Sequence, residues 1–81
     1  MNVPIQEHYW TIECMFAEKV DDWDEYIKLD GTPYRLLSRT QAALIAAELA
    51  KTHSKKDIKA FRVVEVSVTT SFTTHETFQT E

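Results

Sequence analysis

The sequence is poor in the residues that staple, bend or anchor a chain. It has one cysteine, Cys14, in 81 residues. That excludes an internal disulfide, and it leaves a structural metal without the four tightly spaced Cys/His ligands that such a small domain needs. Gly31 is the single glycine and there are two prolines. Collagen-like, linker-like and disordered readings therefore fall away, as does a glycine-rich phosphate cradle. The longest apolar run, Ala42 to Ala47, is far below the roughly 18 residues of a membrane span. The opening residues MNVPIQEHYW have neither a basic nor an apolar leader region. The expectation is a single small domain over residues 1–81, cytoplasmic, with no membrane association and no cofactor. Chains this short bury only about 60–65% of the surface exposed on unfolding, so self-association is an available source of extra stability.

What is present is patterned. Ser38 followed by Gln41 is a capping-box pair, and Ala42, Ile45, Ala46 and Leu49 recur at three- and four-residue steps behind it. The spacing predicts a helix over Ser38–His53, its end uncertain near Ser54, where SKKD could add a turn. From His8 to Phe16 the even positions His8, Trp10, Ile12, Cys14 and Phe16 alternate with a mixed odd set, which predicts a strand. Tyr26–Leu29 and Tyr34–Leu37 flank the turn signal Asp30-Gly31-Thr32-Pro33 and read as a short hairpin. Phe61–Phe72 alternates throughout and reads as one long strand. Residues 73–81 are expected to prolong it, to form a short extra strand or to fray. The order β-β-β-α-β implies an α+β two-layer sandwich: a three- to four-stranded, mainly antiparallel sheet with one helix on one face. That leaves a sheet face uncovered, on which Tyr9, Met15, Phe61 and Val63 are expected to project and to support a homodimer.

The net charge of −4 hides a strong segregation. Residues 1–30 hold eight acids against two lysines, residues 31–62 seven bases against two acids, and the remainder three acids and no base. The densest acidic stretch, Glu18, Asp21, Asp22, Asp24 and Glu25 around Trp23 and followed by Tyr26, cannot be buried as like charges and is expected to be an exposed loop. These seven residues are the candidate partner-binding site, an acidic surface with aromatic anchors that fits a basic groove on another protein. The alternatives are a nucleic-acid-binding stripe of Lys51, Lys55, Lys56, Lys59 and Arg62, and a purely structural oligomeric module. Catalysis has little support. His8, His53 and His75 fall in different elements, and Cys14 sits on the apolar side of its strand, where a buried inert thiol is the simpler reading. No metal ligand set stands out.

Trp10-Thr-Ile-Glu, Leu29-Asp-Gly, Tyr34-Arg-Leu-Leu-Ser, Gln41-Ala-Ala, Glu48-Leu-Ala and Arg62-Val-Val-Glu-Val, taken together over about residues 8–70, resemble the small strand–hairpin–helix–strand accessory proteins of bacteriophages and other mobile elements. The resemblance implies a stoichiometric inhibitor of a host protein, for example a CRISPR or other defence complex. It transfers no functional residue.

Overall fold

A computed structural model describes residues 8–19, 21–67 and 72–80. Four antiparallel strands, β1 (Tyr9–Phe16), β2 (Asp24–Glu25), β3 (Ile58–Val66) and β4 (Phe72–Gln79), lie in the order β2-β1-β3-β4. One helix, α1 (Arg39–Thr52), crosses one face, chiefly over β3 with β1 and β4 to either side. This is the expected two-layer α+β sandwich.

Local chemistry explains α1. Ser38 is extended (φ −137°, ψ 145°), and its Oγ accepts the Gln41 N–H at 3.0 Å. Among the described hydrogen bonds the return contact from the glutamine side chain does not occur, so the cap is the serine half of the box. At the other end His53 is extended again (ψ 150°) while its N–H still reaches Leu49 O. The next residues form a separate turn, with Asp57 and Ile58 N–H both donating to Ser54 O, rather than another turn of helix. The buried stripe is Ala42, Ala46 and Ala50, flanked by half-buried Ile45 and Leu49. Three alanines let the helix axis sit close to the sheet, and the bulk of the core comes from the strands instead.

Register decides which strand residues those are. Cys14 stands opposite Phe61 and Ile12 opposite Val63, and cross-strand partners share a face. All four are fully buried beneath α1. Phe61 and Val63 therefore do not belong to the uncovered face expected of them. Apolar side chains occur on both sides of β3, so its alternation does not say which side meets the helix, and the pairing with β1 places Val64 and Val66 on the open side. Tyr9 and Met15 do lie there.

Two further expectations change. The long strand Phe61–Phe72 is two strands, because β3 begins at Ile58, ends at Val66 and is followed by β4 pairing back along it. The part of that expectation on residues 68–71 lies outside the described residues. Val, Ser and Thr continue the alternation straight through the reversal, with no Gly, Pro or Asn to mark it. The terminal stretch is anchored as far as Thr80, which is buried, its hydroxyl 2.7 Å from the carbonyls of Ile58 and Lys59. The expected hairpin of Tyr26–Leu29 with Tyr34–Leu37 is reduced to single bridges, Ile27 to Pro33 and Trp10 to Leu36. Leu36 exchanges both backbone bonds with Trp10 at 2.8 Å, so β1 draws that segment to itself.

Candidate interaction surface

Beyond β1 the chain turns where Ala17 N–H reaches Asp57 O (2.9 Å) and Lys19 N–H reaches Phe16 O (3.0 Å). The acidic segment and the Lys55–Lys56 turn thus share one end of the sheet. Asp21 takes φ 58°, a left-handed conformation that aspartate tolerates better than most residues. Glu18, Asp21 and Asp22 are exposed. Lys19 lies 3.4 Å from Asp24 and 3.8 Å from Asp22, and the hydrogen bond to Asp24, with the surrounding carboxylates, raises its pKa. Among the described ion pairs Glu18 and Asp21 have no cation.

The segment is not loop throughout. Asp24 and Glu25 form the short edge strand β2, opposite Cys14 and Glu13. That register carries Trp23 and Glu25 onto the open face, where a polar layer covers the sheet. Arg62 donates to Glu13 Oε1 through Nε at 2.8 Å, and its guanidinium lies 4.3 Å from the Trp23 ring centre. Glu25 Oε2 accepts from Thr11 Oγ1 (2.9 Å) and Arg35 Nη1 (2.8 Å), and the Arg35 guanidinium sits 4.5 Å from the Tyr9 ring centre. Two arginine–aromatic stacks, each worth about 0.5–1 kcal/mol at exposed sites, thus tie the acidic segment and the 34–37 segment to the sheet. Trp23 is folded back, half-buried, and holds the loop rather than projecting from it.

Tyr26 is also partly structural. Its ring lies edge-on to His53 (5.7 Å) and Phe61 (5.5 Å) and stacks with Tyr34 at 6.2 Å. Its hydroxyl is 3.3 Å from His53 Nε2, while His53 Nδ1 is 2.9 Å from Leu49 O. A carbonyl can only accept, so the network assigns the proton to Nδ1 and leaves Nε2 to accept from the tyrosine. Burial foremost raises the Tyr26 pKa. The other side of Tyr26 opens on a cleft of about 410 Å³ lined with Lys28, Leu29, Asp30 and Tyr34. A tight loop, with Gly31 at φ 87° and Asp30 accepting from Thr32 N–H and Oγ1–H, forms its wall. Leu29 is fully exposed and Ile27 half exposed, so the acidic segment runs directly into an apolar one. A paired strand over 26–29, as expected from the sequence, would have given those side chains a neighbour; the segment makes only the single bridge of Ile27 to Pro33.

The basic set is divided. Arg62 is held by Glu13 and Trp23, whereas Lys51 lies in the last turn of α1, Lys55 and Lys56 are exposed in the following turn, and Lys59 is the second residue of β3. No ion pair joins any of these four lysines to a described residue. Cys14 is a buried thiol whose pKa is raised to about 11, first by desolvation and then by the Asp24 and Glu13 carboxylates. At the far end of the sheet the Glu65 carboxylate bridges His8 Nε2 (2.6 Å) and His75 Nε2 (3.1 Å), which lowers its pKa. Each imidazole meets a different carboxylate oxygen, and among the described residues no three His, Cys, Asp or Glu side chains form a metal-binding group. No described helix is long and apolar enough to cross a membrane. The chain matches no family model, no curated protein and no solved structure.

Proposed function

We propose that this protein is a non-enzymatic binding module that docks its acidic end on a basic surface of a larger protein. The observation that carries the reading is the anchoring of the loop: Trp23 packed on Arg62 and Glu25 bound to Thr11 and Arg35. A loose acidic loop loses conformational entropy on binding. One tied to a sheet presents Glu18, Asp21 and Asp22 with much of that cost already met. Exposed Ile27 and Leu29 follow directly in sequence and supply the apolar area that charges alone lack. Trp23, Glu25 and Tyr26 act as supports, so the contacting set is Glu18, Asp21, Asp22, Asp24, Ile27 and Leu29. An acidic surface of this kind competes for grooves that otherwise hold nucleic acid, which fits an inhibitor of a host nucleic-acid or defence complex of the sort encoded by phages, acting in the cytoplasm.

Affinity capture from a bacterial lysate, with and without nuclease, tests the reading. A specific protein retained under nuclease supports it. Capture that disappears with nuclease, and with K55E/K56E/K59E, establishes the nucleic-acid reading instead.

A further inference from the structure

β4 is an edge strand. Its inner side pairs with β3, and among the described residues no strand lies against its outer side. Exposed edges are commonly protected by lysine, proline or a bulge. From Phe72 to Gln79 there is no lysine, arginine or proline, and the single irregularity is a bulge. Arg62 pairs with Thr77 and Val64 with Thr74, so His75 and Glu76 together face the single residue Val63.

The bulge makes the strand self-complementary. Thr73 lies opposite Glu65 and Phe78 opposite Phe61, on the helix face, whereas Thr74 opposite Val64 and Thr77 opposite Arg62 lie on the open face. His75 and Glu76 both turn toward the helix side, His75 with its ring 4.9 Å from Trp10 and Glu76 bonded to Arg39 near the start of α1. From Thr73 to Phe78 the faces run helix, open, helix, helix, open, helix, the same in both directions. Two copies paired antiparallel about the centre of the bulge therefore match every side chain to one on its own face. A shift of one residue either way sets open-face Thr74 against a helix-face residue.

We propose that two copies of this chain join through β4, antiparallel and in that one register, to form a continuous eight-stranded sheet with both helices on the same side. The self-matching order of faces supports a second copy as the occupant. His75 stands opposite the second copy's Glu76, and the two-fold axis repeats the contact. Each contact links the Glu65–His75 pair of one copy to the Glu76–Arg39 pair of the other. Thr74 of each copy meets Thr77 of the other on the open face. This association leaves the acidic end unobstructed and is independent of the function proposed above.

Sedimentation of the full chain from low to high micromolar concentration tests the proposal, using two variants that differ only in the sign at position 74. T74E/T77E places glutamate against glutamate at both symmetric contacts, and T74K/T77E places lysine against glutamate. In both, T77E sets a carboxylate opposite Arg62 of its own β3, a favourable pair, and thermal melting verifies the fold. The wild type is expected to dimerise with protection of the 72–79 amides that grows with concentration. The first variant is expected to weaken the dimer about tenfold or more, and the second to restore it. A wild type that stays monomeric at high micromolar concentration, or two variants that dissociate alike, overturns the proposal.

Discussion

Replacing Arg62 with methionine isolates the contact on which the acidic loop depends. The methionine keeps much of the aliphatic stem over the sheet and removes the guanidinium. Arg62 and Glu13 side chains are 24% and 21% exposed, between a solvated surface pair and a buried one. Loss of the charge-assisted bond costs about 1.5–3 kcal/mol before relaxation, and loss of the stack on Trp23 about 0.5–1 kcal/mol. Water can reach Glu13 once its partner is gone, which offsets part of this, so the expected loss is about 1.5–3 kcal/mol. Urea unfolding followed by far-ultraviolet circular dichroism measures it. A double-mutant cycle with W23L assigns the stacking share, expected at about 0.5–1 kcal/mol. R62K should recover part of the pairing but not the planar stack. A cost for R62M below about 0.5 kcal/mol, the range of an ordinary surface substitution, together with zero coupling to Trp23, would refute the claim that the loop is pinned to the sheet.

Other expectations follow from the same structure. F61A should cost about 3–5 kcal/mol, because the largest fully buried side chain lies between Tyr26, His53 and α1, and A46L should cost about 1–3 kcal/mol by forcing α1 off the sheet. Both are read from urea midpoints. Glu65 and Glu76 have carboxyl pKa values held low, by His8 and His75 in the first case and Arg39 in the second. Their stabilisation is present above the ordinary carboxylate range and is lost as pH falls through the lowered values. The melting temperature should therefore drop on acidification below about pH 4.5, and E65Q/E76Q should flatten that drop. For Cys14 the sign is opposite: a thiol raised to about 11 favours the fold below its unfolded value and withdraws that support as pH rises through 11. At neutral pH it should label with thiol reagents only as fast as the protein opens, which a comparison with unfolded chain checks.

The helix and the first strand were legible because each carries its own punctuation: a serine cap with a three-four stripe, and a clean two-residue alternation. The two-layer arrangement followed from them. What sequence could not supply was register. Phe61 and Val63 look as suited to an exposed face as Val64 and Val66 until Cys14 and Ile12 are set opposite them. The β3–β4 reversal was invisible for a related reason, since threonines and valines preserve the alternation across it. The candidate surface was legible in its charges and not in its supports. A tryptophan among aspartates does not reveal that an arginine 39 positions later will lie beneath it, nor that the neighbouring Leu29 is left outside.

The central claim is that the acidic end is the binding face. It is tested most directly by titrating the captured partner with the wild type and with E18K/D21K/D22K, at low and at high salt. Wild-type binding should weaken steeply with salt, and the variant should bind at least a hundredfold more weakly, on the order of 3 kcal/mol, while keeping the wild-type fold. Equal affinity for the two proteins would contradict it.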